Sequence, residues 1–100
     1  MYMNRILIIE DDKAIAEIER DYLEIDQFEV EIASSGTVGL QMAMQEWFDL
    51  ILLDIMLPEM DGFSLCRELR KVLDISILMV TARQEDIDKI RGLGLAPTII

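Results

Sequence analysis

One hundred residues make one domain at most, near the lower limit for burying a core, and a 52% hydrophobic share marks a globular chain rather than a disordered one. Twenty acidic side chains against nine basic ones leave a net charge of -11, which argues against direct binding to nucleic acid or an anionic membrane. Histidine is absent and cysteine occurs once, as Cys66, so any chemistry falls to carboxylates, hydroxyls and backbone, and no internal disulfide can form.

The run Arg5-Ile6-Leu7-Ile8-Ile9 is short, continuous and β-branched, the pattern of a strand covered on both faces. It stops at Glu10-Asp11-Asp12. Apolar residues then recur at Ile15, Ile18, Tyr22 and Ile25 with charges between them, which predicts an amphipathic helix. Phe28 to Ile32 alternates apolar and acidic residues and predicts a strand with one exposed side, at a sheet edge. Ser34-Ser35-Gly36 offers cap chemistry ahead of a second helix carrying Val38, Leu40, Ala43 and Trp47.

Leu50 to Leu53 is a further apolar strand, ended by Asp54. A loop dense in turn formers follows from Met56 to Gly62 and includes Pro58. Phe63, Leu65, Cys66, Leu69 and Val72 take helical spacing. Ile75 to Val80 makes a fourth strand ended by Thr81, and a last amphipathic stretch runs from Glu85 to Leu93, with Gly94 placed to cap it. Strands alternating with helices define an α/β fold, a doubly wound parallel sheet. No stretch is long and apolar enough to cross a bilayer, and the start lacks a signal-peptide pattern. A cytoplasmic protein with no membrane contact is expected.

Ligands of an open parallel sheet bind beyond the carboxyl ends of its strands, where strand order reverses. Glu10 and Asp11 end the first strand, Asp54 the third and Thr81 the fourth, so three acids and a hydroxyl share one edge. The acids converge if the first and third strands are neighbours. Two like charges about 4 Å apart repel by roughly 4 kcal/mol at an effective dielectric near 20. Such a group either raises a pKa or recruits a cation, and Mg²⁺ suits an oxygen cage that also receives a phosphate. A plainer reading stays open at Asp11 and Asp12, either of which could cap the following helix; Asp61 or Ser64 would do the same for the third helix.

At these residues the chain resembles the receiver domains of bacterial response regulators. The matching motifs are Ile6 to Asp12, Asp49 to Asp54, Met56 to Gly62, and Val80-Thr81-Ala82-Arg83, in order and at matching separations. The stretch Asp88 to Leu93 further resembles the subfamily whose receivers precede a winged-helix DNA-binding domain. The resemblance implies a flavodoxin-like receiver fold, here truncated after the fourth helix. The whole of 1–100 would be one C-terminally incomplete receiver domain, with the output domain absent from this chain.

The resemblance also implies roles. Asp54 would take a phosphoryl group from a sensor histidine kinase, in a two-component system that controls an output such as transcription. Asp11 would ligate Mg²⁺ directly, together with Asp54, with Glu10 acting through water and Met56 through its backbone carbonyl. Thr81 would bond the phosphoryl oxygens and move inward, with small Ala82 leaving room, while Pro58 and Gly62 shape the loop. Such a domain is a signalling module, not an enzyme, and its only chemistry is its own phosphorylation and dephosphorylation.

After Leu95 the pattern departs from the family. The expected fifth strand, lysine and aromatic switch residue have no match in Ala96-Pro97-Thr98-Ile99-Ile100, and the last helix is missing. That departure favours a pseudo-receiver, an interaction module that keeps the fold; Glu10, Asp11, Asp54 and Thr81 favour the active form. A Mg²⁺-dependent phosphohydrolase on a similar sheet would typically carry a second aspartate where Met56 stands, which argues against it. An unpaired apolar edge along Ile77 to Val80 leads to the expectation of a homodimer or swapped oligomer; Thr98 to Ile100 could pair there but is too short to replace a helix.

Overall fold

The computed structural model describes residues 4–54, 57, 61–80 and 98–99. In chain order the elements are β1 (Arg5–Ile9), α1 (Lys13–Ile25), β2 (Glu29–Ala33), α2 (Gly36–Gln45), β3 (Leu50–Asp54), α3 (Gly62–Val72), β4 (Ser76–Val80) and β5 (Thr98–Ile99). All pairings are parallel, in the order β2-β1-β3-β4-β5. The order runs one way from β1 to β2 and the other way from β1 to β3, and that reversal creates the crevice at the carboxyl end.

Strand composition follows position in the sheet. β1 and β3 lie inside, and their Ile and Leu runs are covered on two sides. On one face Leu7, Ile9, Ile51, Leu53, Ile77 and Met79 pack with Phe63, Leu65, Cys66 and Leu69 of α3 and with Ala43 of α2. On the other, Ile6 and Ile8 pack against Ala16 and Leu23 of α1, with Leu50 and Leu52 beside them. Full burial of one such aliphatic side chain stabilises by about 1.5–3 kcal/mol. β2 lies at the edge, as its alternating acids predict, with Glu29 exposed and Ala33 buried.

Local chemistry sets the helix starts. Asp12 caps α1, its carboxylate accepting from the amides of Ala14 and Ile15. Ser35 caps α2 by accepting from the Val38 amide, and Asp61 caps α3 by accepting from the amides of Phe63 and Ser64. Gly62 therefore opens α3 rather than closing a loop. Past the end of α1 the chain turns at Gln27, whose φ of 68° is left-handed. Gly39 lets α2 approach β1, since a Cβ there would stand 2.5 Å from Ile9 Cδ1.

Three expectations need correction. The stripe Ile15, Ile18, Tyr22 and Ile25 does form one side of a helix, but all four are exposed, Ile25 by 76%. α1 touches the sheet through Ala16 and half-buried Leu23 instead, because a small side chain lets the helix come close on the side about 100° away from Ile15. Val38, Trp47 and Val72 are likewise exposed, and Trp47 falls beyond the end of α2. Finally, β4 is not an unpaired edge, since β5 pairs with it at Leu78↔Thr98 and Met79↔Ile99. A two-residue strand leaves Ser76 and Ile77 of β4 without a partner on that side among the described residues. The helix expected from Glu85 to Leu93, with its cap at Gly94, lies outside the described residues.

Candidate functional site

The registers bring the acids together. Ile9 of β1 is paired with Leu53 of β3, so the next residues along the two strands, Glu10 and Asp54, stand level at the carboxyl edge. Glu10 is held there by its own amide, which donates to the Ala33 carbonyl at 3.1 Å. Carboxylate oxygens of Glu10, Asp11 and Asp54 all lie within 4.8 Å of one another. Glu10 is buried, Asp54 half-buried and Asp11 exposed, so the cluster opens outward through Asp11. Asp12, not Asp11, is the helix cap, which separates the structural acid from the one in the cluster.

Burial pushes the Glu10 carboxyl up to about 8. A hydrogen bond with Asp54 adds to the rise, as do the charge of Asp54 and a hydrogen bond with Asp11. The Asp12 amide opposes it, donating to Glu10 Oε2 at 3.3 Å. Burial and the neighbouring acids thus both favour the neutral form of Glu10. The donor set of three carboxylates fits a hard divalent ion, whose charge would offset the crowding of the acids.

Glu19 is a residue that the motif reading passed over. It is half-buried on the side of α1 that carries Ala16 and Leu23, and burial followed by the charge of Asp54 pushes its carboxyl up. The signal was available as an acid three residues after a small one, on the face that a close-packed helix turns inward. Of the other expected site residues, Gly62 is buried at the start of α3. Met56, Pro58, Thr81 and Ala82 lie outside the described residues. The pairing Asp54↔Val80 nevertheless brings the end of β4 level with Asp54.

A parallel sheet of order 2-1-3-4-5 with an acidic cluster at its switch point defines a class of phosphate-handling and cofactor-binding α/β domains. Residues 6–96 match the response regulator receiver domain, and the chain belongs to that family. It is 46% identical over 91 residues to the transcriptional regulatory protein BaeR of Escherichia coli, covering 91% of this chain and 38% of BaeR. Against a CpxR homologue of Haemophilus influenzae it is 40% identical over 93 residues, covering 93% of this chain and 40% of that protein. The chain thus spans about two-fifths of the length of these regulators.

Solved structures agree on the fold. A CheY-like receiver domain from Methanospirillum hungatei superposes with a TM-score of 0.86 at 35% identity, covering 98% of this chain and 81% of that one. The Thermotoga maritima response regulator TrrA, solved in complex with Mg²⁺ and BeF, gives a TM-score of 0.88 at 26% identity, covering 98% and 86%. The flavodoxin-like receiver fold expected from the sequence is therefore present. No helix among the described residues is long and apolar enough to cross a membrane.

Proposed function

We propose that this chain is the phosphoacceptor module of a cytoplasmic two-component response regulator, with Asp54 receiving a phosphoryl group from a histidine of a sensor kinase. The observation that carries the reading is the meeting of Glu10, Asp11 and Asp54 at the carboxyl edge of β1 and β3. A carboxylate oxygen of Asp54 attacks the phosphorus of the phosphohistidine. A P–O bond forms, the P–N bond breaks, and the departing imidazole nitrogen takes up a proton. Asp54 suits this role because it ends β3, paired with Val80 of β4, and is half-buried.

Asp11 and Asp54 are the carboxylates that would hold Mg²⁺, with Glu10 behind them through water and the Met56 carbonyl as a further donor. When bound, the ion supplies positive charge that offsets the incoming phosphoryl oxygens. Thr81 is assigned the phosphoryl-bonding hydroxyl and Ala82 the space for its movement, while Pro58 and Gly62 shape the loop beside Asp54. The chemistry of the domain ends with its own phosphorylation and dephosphorylation. The output is transcription, supported by the regulators that share this sequence and by their greater length.

Incubation with Mg²⁺ and acetyl phosphate, followed by mass spectrometry, tests the assignment. One hydroxylamine-labile phosphoryl group on Asp54 is expected. Label that resists hydroxylamine, or persists in Asp54→Ala, overturns it. Complete failure to label supports a second reading, an interaction module that keeps the fold.

For partners, the reading adds self-association of the 100-residue chain. Its support is the exposed apolar stripe of α1, where Ile18 is 57% and Tyr22 71% exposed. Light scattering behind size-exclusion chromatography reads the outcome. A dimer or larger species is expected, and a monodisperse monomer across a wide concentration range rejects self-association while leaving the phosphoacceptor assignment intact.

A further inference from the structure

No further inference is drawn: the strongest candidate, the exposed apolar stripe of Ile15, Ile18, Tyr22 and Ile25 along α1, already supports the proposed self-association, and nothing else in the structure shows what covers it.

Discussion

Replacing Asp11 by Asn removes one charge from the acidic cluster and changes its shape little. The carboxylate oxygens lie within 4.8 Å of one another, and at that outer limit two full charges repel by about 3.5 kcal/mol at an effective dielectric near 20. Asp11 is exposed, and solvent screening reduces such a term to about 1 kcal/mol or less. The metal-free variant should therefore melt a few degrees above the parent, since 1 kcal/mol moves the midpoint of a chain this size by about 4–8 °C. With Mg²⁺ the order should reverse. An ion that binds only the folded form adds about 2.7 kcal/mol at a hundred times its dissociation constant, and Asp11→Asn should lose most of that gain. The assay is a thermal melt followed by circular dichroism, run in chelator and across a Mg²⁺ series. A variant that keeps the full Mg²⁺ response would place the metal elsewhere, and one no more stable without metal would show that the cluster stores no repulsion.

Two further outcomes are expected. Gly39→Ala should destabilise by about 1–3 kcal/mol, as overpacking does, because the new Cβ would stand 2.5 Å from Cδ1 and 2.7 Å from Cγ1 of the fully buried Ile9. Denaturant titration reads this, and a gain instead, as helix propensity alone predicts, would refute the contact. Glu10 makes the metal-free fold lose stability as pH rises between about 4.5 and 8, because the folded chain keeps a proton that the unfolded chain has released. The difference between the parent and Glu10→Gln, measured by denaturation in chelator at a series of pH values, should show that decline; a difference that is flat or rises over the window would contradict it.

Much of the fold and of the candidate site was legible in the sequence. Ile6 to Ile9 and Leu50 to Leu53 read as covered strands because their side chains are apolar at every position, and a parallel interior strand has no solvated side. The acids of β2 marked it as an edge for the converse reason. The family motifs singled out Glu10, Asp11 and Asp54. Their meeting still depended on one condition, that β1 and β3 be neighbours, and sequence order is silent on spatial order.

The tertiary structure supplied that neighbour relation through the pairing of Ile9 with Leu53, and with it the raised carboxyl of Glu10. It also decided which way α1 faces. Periodicity groups Ile15, Ile18, Tyr22 and Ile25 on one side of a helix, but the direction in which that side turns depends on what packs beneath it. Small Ala16 let the helix settle close to Ile8 on a different face, and that choice also drew Glu19 into the field of Asp54. The sequence by itself determined the elements, their parallel alternation and the identity of the acids, because periodicity and capping are local. Which strands are neighbours, which helix face is inward and which acid is pushed toward its neutral form are properties of the packed whole, because each rests on residues far apart in the chain.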